Sequence, residues 1–451
     1  MAANDQESKV PLKLLVDDKK TRVIAAEANR DFVDILFSFL TFPIGTIIRL
    51  SNSQPMPKIS TSMNNLYKSV ENLSVKHLYS EHCKSILLNP RNPFIEACFK
   101  LKVNIDDSVS NKYFKCSNVR CSNKSWLVNV KCCCGCRTTK EMFSDITNPI
   151  DDHSGVFVTG GIEFIISDDL RVLPGSPCSL IHFLSDLGYS HMNQIKEMSV
   201  EVGKEEILRL LTCSLISKSP LTEVFMNKQA IVDSNIMPEP RISQVSPDLQ
   251  TAISSKINLK LILSKSRNKI LYAEAKDSFV DFLFSFLTFP LGSVTYALNG
   301  TSGLGCIDNL YKSVKDLESE WIPNCKTGLL NPGVAPRHEC QNYLLPISVV
   351  SGHYYLIDPR DIRGSTNEFG RLTRSPSLFI VLDDLEVKPV CSTSSFGLLR
   401  ELNVPLCDIE EKVISIGKAE AQRLLQAALI GSSSALTLAL SSFLNTQKEE
   451  D

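Results

Sequence analysis

The sequence predicts an α+β fold built twice, each copy carrying β-hairpins and a mainly antiparallel sheet packed by helices. Three observations predict it. FVDILFSFLTFPIG (Phe32–Gly45) recurs as FVDFLFSFLTFPLG (Phe279–Gly292), identical at 12 of 14 positions. The matches continue in the same order: NNLYKSVENL from Asn64 with DNLYKSVKDL from Asp308, Cys83, Lys84 and the LLNP ending at Pro90 with Cys325, Lys326 and the LLNP ending at Pro332, and DDLRVLP from Asp168 with DDLEVKP from Asp383. Collinear order over this length indicates tandem duplication and not a solenoid of short repeats. Within each copy β-prone runs interleave with helical ones, the pattern of helices laid on an antiparallel sheet.

The first unit is assigned to residues 10–226 and the second to 257–445. Residues 227–256 carry Pro238, Pro240 and Pro247 among polar residues and read as an extended linker. Each unit starts with a hairpin; in the first, KLLVDDKKTRVIAAEA folds about the polar DDKK turn. A Phe-rich helix follows, with its N-cap near Asn29 or Asp31 in the first copy and near Asp277 or Ser278 in the second. Pro43 and Pro290 end it, because proline pushes the preceding residue out of the helical region. Asp34, Ser38 and Thr41 are the only polar positions in its body, and Asp281, Ser285 and Thr288 repeat them. A helix so apolar all round must be nearly surrounded, so it is the expected core of each unit. NLYKSV forms a second, amphipathic helix with Leu66, Tyr67, Val70 and Leu73 on one side. Each unit closes with a hairpin at the Asp pair, a short helix, and a strand leading into a final helix; in copy two Ala421, Leu424, Leu425, Ala428 and Leu429 form its buried stripe.

Composition narrows the class. With 43% apolar and 22% charged residues and a net charge of −2, the chain is neither disordered as a whole nor a polyanion binder as a whole. MAANDQESKV has no apolar core of a secretory signal. Phe32–Phe42, the densest apolar run, is half the roughly 20 residues a membrane span needs. The expected protein is therefore soluble and cytoplasmic and/or nuclear, with no membrane partner. Fifteen cysteines without an export signal read as reduced thiols.

One segment has chemical character. Copy two is 27 residues shorter between its LLNP and Asp-pair motifs, and there copy one carries KCSNVRCSNKSWLVNVKCCCGCR. Zn²⁺ takes four thiolates as a tetrahedron, commonly from two close pairs on tight turns. Cys116 and Cys121 form the first candidate pair. Cys133 and Cys136 have the usual knuckle spacing for the second, with Cys132 and Cys134 as alternates and His153 as a substitute ligand. The stretch is also basic: from Lys112 to Lys140 there are seven cations and no acidic residue, leaving −9 on the rest of the chain. Lys115, Arg120, Lys124, Lys131 and Arg137, with Tyr113, Phe114 and Trp126 between them, could contact a polyanion such as nucleic acid. A solvated basic loop is the favoured reading of those charges.

Other motifs fail on spacing or context. NGTSGLGC has neither the dinucleotide nor the P-loop pattern, and its counterpart SNSQPMPKISTS has no glycine. The Asp168-Asp169 and Asp383-Asp384 pairs read as turn formers. Glu27 and Glu274 read as capping or pairing residues at the helix entrance. The seven histidines are scattered, and no nucleophile elbow or kinase signature is present.

Taken together, KLLVDDKKTRVIAAEA, FVDILFSFLTFPIGTI, NNLYKSVENL, LLNPRNP, the cysteine-bearing middle and DDLRVLP resemble the plant proteins carrying domain of unknown function 674. The resemblance covers nearly the whole chain, with both copies. It implies a plant source and no activity, and copy two departs from it by lacking the cysteine-rich run. The expected function is that of a non-catalytic interaction or scaffold protein with unidentified protein partners and a structural zinc loop. An enzyme or small-molecule binder with a site between the repeats, lined by matched groups such as Glu27 and Glu274, is the first alternative. Nucleic-acid binding through the basic loop is the second.

Overall fold

A computed structural model describes residues 8–17, 22–53, 61–106, 112–143, 155–226, 256–340, 344–350, 355–360, 370–390, 397, 400–401, 403–430 and 433–444. The hairpin tip at 18–20, almost all of the linker and His153 lie outside them. In the first half, β1 (Val10–Asp17) and β2 (Arg22–Ala28) lead into α1 (Arg30–Ser38), α2 (Ile44–Asn52), α3 (Ser62–Asn72), α4 (Glu81–Leu88) and α5 (Ile95–Cys98). Then come β3 (Lys112–Cys116), β4 (Lys124–Ser125), β5 (Thr138–Phe143), β6 (Phe164–Ser167), β7 (Val172–Pro174), α6 (Pro177–Asp186), β8 (Ile195–Val202), α7 (Lys204–Ile216) and α8 (Pro220–Phe225). The second half runs β9 (Ile257–Ser264), β10 (Lys269–Lys276), α9 (Asp277–Ser285), α10 (Leu291–Ala297), α11 (Ile307–Asp316) and α12 (Lys326–Leu330). It ends with β11 (Leu378–Leu382), β12 (Val387–Pro389), β13 (Ile409–Ile416), α13 (Lys418–Leu429) and α14 (Ala435–Ala439).

The architecture is α+β, as expected. Two antiparallel sheets have matching orders, β7-β6-β2-β1-β8 and β12-β11-β10-β9-β13, and a third, β4-β3-β5, belongs to the first half alone. β1 pairs with β8 in one continuous register and with β2 in a register that shifts between Leu15 and Val16, Leu12 lying opposite Ala28 and Val200. Alternation sends Leu12, Leu14 and Val16 into the main core and Leu15 to the other face, where α6 covers it through Leu180 and Phe183.

The Phe-rich segment is buried, with Phe37 and Phe284 at 0% exposure. It is not one helix to the proline. α1 stops at Ser38, a 3₁₀ turn covers Phe39–Thr41, and Pro43 then caps a new helix instead of only ending the old one. The Asn29 side chain accepts the Phe32 N–H at 3.2 Å, the expected first cap. In the second copy Lys276 occupies that place and α9 starts at Asp277 without a side-chain cap.

The polar stripe is buried as well. Asp34 accepts the N–H groups of Val156, Phe157 and Val158 at 2.7, 2.8 and 2.9 Å. Asp281 accepts those of Leu372 and Thr373 and the Thr373 hydroxyl. Burial pushes both carboxyls up to about 6 even though these donors oppose it.

The two halves do not build separate interiors. One apolar cluster runs from Val10 to Leu440 through both Phe-rich helices. At its centre the Ile44 N–H donates to Phe289 O at 3.0 Å and the Leu291 N–H to Phe42 O at 3.1 Å, a reciprocal pair around Pro43 and Pro290. Glycine follows each proline because the chains touch there. A Cβ on Gly292 would lie 2.4 Å from Leu329 O and 3.1 Å from Leu40 O of the other half; one on Gly45 would lie 2.9 Å from Leu87 O and 3.0 Å from Leu287 O.

The NLYKSV helices cross over. Ser69 and Asn65 on α3 bind the second half's hairpin, at the Val387 N–H (2.9 Å) and Asp384 O (3.1 Å). Ser313 and Asn309 on α11 bind the first half's, at the Val172 N–H (2.9 Å) and Asp169 O (2.9 Å). The first aspartate of each pair caps a terminal helix: Asp168 takes the N–H and hydroxyl of Thr222, and Asp383 those of Thr437. The left-handed residue of each turn is a leucine, Leu170 (φ 61°) or Leu385 (φ 66°), not an aspartate.

Candidate metal centre

The insertion of the first half folds as the small sheet β4-β3-β5 with two turns beside it. Cys116 ends β3, Cys121 closes the turn opened by Asn118, and Cys132 and Cys134 lie on the turn 132–136. That turn is closed by the Cys132 N–H to Cys136 O at 2.8 Å and the Gly135 N–H to Cys132 O at 2.9 Å, with Gly135 at φ 85°. Glycine adopts this left-handed conformation without the Cβ penalty.

The sulfurs of Cys116, Cys121, Cys132 and Cys134 all lie within 4.8 Å of one another. Cys116 and Cys134 are 3.4 Å apart, Cys121 and Cys132 3.6 Å. A disulfide requires about 2.05 Å, whereas thiolates around zinc, with Zn–S of about 2.3 Å, sit about 3.8 Å apart at the corners of a tetrahedron. The four thiols therefore fit a tetrahedral metal ion. The expected first pair, Cys116 and Cys121, is in the group. Of the others, the turn brings in the alternates Cys132 and Cys134. Cys133 points outward and is exposed, and Cys136 is half-buried outside the four. Spacing favoured Cys133 and Cys136; the tight turn instead brings the sulfurs of Cys132 and Cys134 to those of Cys116 and Cys121, Cys134 at the exposed side of the group.

The backbone N–H groups two residues on, of Asn118, Asn123, Cys134 and Cys136, act to lower the thiols of Cys116, Cys121, Cys132 and Cys134 in turn. Such donors favour thiolate, the form that binds metal. Burial opposes ionisation at Cys132, yet these donors and the Asn123 amide bring its thiol down to about 6. Burial pushes Cys116 up to about 12. The signal for this arrangement is in the sequence as the doubled CSN at 116–118 and 121–123.

The segment between Cys121 and Cys132 rests on the second half. The Lys124 N–H donates to Tyr355 O at 2.9 Å and Lys124 O accepts the Ile357 N–H at 3.0 Å. The Trp126 ring lies 5.6 Å from buried His338, and Arg91 stands 5.0 Å from Trp126 and 5.1 Å from Tyr113. Burial pushes His338 down to about 3, so its ring is neutral at physiological pH. Sequence reasoning missed this docking, because Arg91 and His338 lie far from the insertion along the chain.

The candidate polyanion contacts are scattered. Arg120, Lys131 and Arg137 are exposed, and Lys115 and Lys124 half-buried. Lys124 sits 4.5 Å above the Tyr113 ring, and Arg137 donates to Asn129 O at 2.8 Å. The other motifs are absorbed by structure. Ser302 and Gly303 of the glycine-rich loop donate to Asp308, which occupies the place a phosphate would need. Glu27 pairs with Lys13 at 3.2 Å and Glu274 with Lys260 at 3.4 Å, each on the outer face of its own sheet.

The sequence model of one family, described as protein of unknown function (DUF674), matches residues 6–419. No curated protein and no solved structure matches the chain. Among the described residues no helix is long and apolar enough to cross a membrane.

Proposed function

The chain belongs to the DUF674 family of proteins of unknown function, and from that premise we propose that it works by binding, with a structural zinc knuckle that bolts its halves together. Residues 10–226 and 257–445 act as the two halves, joined by 227–256. The observation that carries this reading is the thiol quartet bracketing a segment whose backbone pairs with Tyr355 and Ile357. Zinc held by Cys116, Cys121, Cys132 and Cys134 closes residues 122–131 into a rigid loop that stays seated on His338. A reducing compartment, cytoplasm or nucleus, keeps such thiols available. The alternative of a site between the repeats loses its support, since Glu27 and Glu274 sit on separate sheets in ion pairs. Nucleic-acid stacking has little to use: Tyr113 is buried, and Trp126 is sandwiched between Arg91 and His338.

The test is metal analysis of purified protein with tryptophan emission in a Trp321→Phe background. One zinc per chain is expected, lost in Cys121→Ser with Cys132→Ser, and chelation should red-shift Trp126 as it leaves His338. Metal-free protein whose Trp126 emission ignores both treatments would overturn the reading.

A further inference from the structure

Accepting that the protein is an interaction scaffold, we infer that the outer edge of β5 is a docking site for an extended acidic segment of a partner protein, added as a fourth strand to β4-β3-β5. Edge strands expose unpaired backbone donors and acceptors, and folds normally blunt them. The large sheets do so here. β7 and β12 are three residues long and end in proline, and the Val172 and Val387 N–H groups are taken by serines of the opposite half. β8 and β13 carry lysine and glutamate together, which suits solvent. In the small sheet, β4 is covered through its bridge to Leu356 of the second half.

β5 also carries a lysine and a glutamate together, Lys140 and Glu141, but it ends on two exposed apolar side chains. From Thr139 to Phe143 every residue is exposed, including Met142 at 39% and Phe143 at 57%, and β3 is the only strand it pairs with among the described residues. Its charge is frustrated. Lys140 stands directly opposite Lys115 across the β3–β5 ladder, and neither has a carboxylate partner among the described residues. Like charges opposite one another destabilise a ladder. On the other face of the ladder Lys112 is paired with Glu141, so Lys115 and Lys140 are the cations that this argument uses.

An incoming strand with alternating acidic and apolar residues meets all three features. Its backbone completes the open edge, its carboxylates lie on the face of Lys115 and Lys140, and its apolar side chains lie on the opposite face, over Phe143. Main-chain pairing supplies affinity and the side chains supply selectivity, as in other strand-addition complexes. A nucleic acid would use the charges but not the edge amides.

The probe is a synthetic decapeptide of alternating Glu and Val, titrated into full-length protein with zinc content measured in parallel. Binding should weaken with salt, and fall at least about tenfold, or 1.4 kcal/mol, when alternate peptide amides are N-methylated in one of the two registers, the other register binding like the plain peptide. Lys115→Gln with Lys140→Gln should produce a similar loss. Because the methylated peptides leave the protein untouched, the edge is tested even if a variant misfolds. Equal binding of the plain peptide and both methylated peptides, equal binding of a Lys-Val peptide, or tighter lysine-dependent binding of single-stranded RNA would each overturn the inference. Zinc-loaded protein that ignores the peptide removes the docking site and leaves the knuckle standing; zinc-free protein that binds it does the reverse.

Discussion

The two halves of this chain are most alike where they touch each other and least alike where they face outward. FSFLTFP is letter-perfect in both copies, and it surrounds the reciprocal backbone pair formed by Phe42, Ile44, Phe289 and Leu291. A pseudo-twofold contact is self-complementary, so a change in one copy is felt by both. The Cys-rich insertion has no such constraint: it occurs once and docks on a surface that has no twin. Symmetry preserves the join, and departure from symmetry creates the candidate site.

The sharpest way to break the comparison is at the paired glycines. Gly292→Ala puts a methyl group 2.4 Å from a backbone oxygen, whereas in Gly45→Ala the closest approach is 2.9 Å. Neither neighbour is the flexible end of a side chain. The expected losses, read from urea unfolding, are about 3 kcal/mol for Gly292→Ala and about 1–2 kcal/mol for Gly45→Ala. Equal and negligible losses would mean the join is looser than these distances imply.

The buried carboxyls come next. Asp34 and Asp281, raised from 3.8 to about 6, hold their proton more tightly in the folded than in the unfolded chain. Their contribution to stability is therefore fully present below pH 4 and is lost as pH rises through 6, by up to about 3 kcal/mol per carboxyl. Asp34→Asn with Asp281→Asn should remove that component from the unfolding free energy measured between pH 4 and pH 7. It should also lower stability at every pH, because an amide cannot accept from the same set of donors. Identical pH slopes in variant and parent would refute the assignment.

The crossed helices sharpen the comparison most gently. Asn309 makes two bonds to Asp169, at 2.9 and 3.2 Å, while Asn65 makes one to Asp384 at 3.1 Å. Asn309→Ala should cost about 1–2 kcal/mol and Asn65→Ala about 1 kcal/mol, measured by thermal unfolding. A reversed order would show that the halves are fastened differently.

How much was legible depended on the range of the interaction. Local rules found the hairpins, the buried stripe of Asp34, Ser38 and Thr41, and Cys116 with Cys121 as a pair. They were incomplete where the rest of the answer lay in a neighbour. Pro43 does stop the Phe-rich segment, but it also opens α2, where Phe289 receives the next N–H across the join. Asp168 and Asp169 do form the turn, and in addition one caps α8 and the other is held by Asn309.

By itself, the order of amino acids determined that one motif set occurs twice, that its Phe-rich segments must be buried, and that one copy alone carries a cluster of thiols. These follow from periodicity and side-chain chemistry, which act over a few residues. Only the tertiary structure decided that the NLYKSV helices exchange places, and that Cys132 and Cys134, not Cys133 and Cys136, complete the quartet. Identical copies can satisfy the same contacts within a half or across halves with equal local propensity. Adjacent cysteines likewise offer several ligand registers, and the backbone of a single turn selects among them.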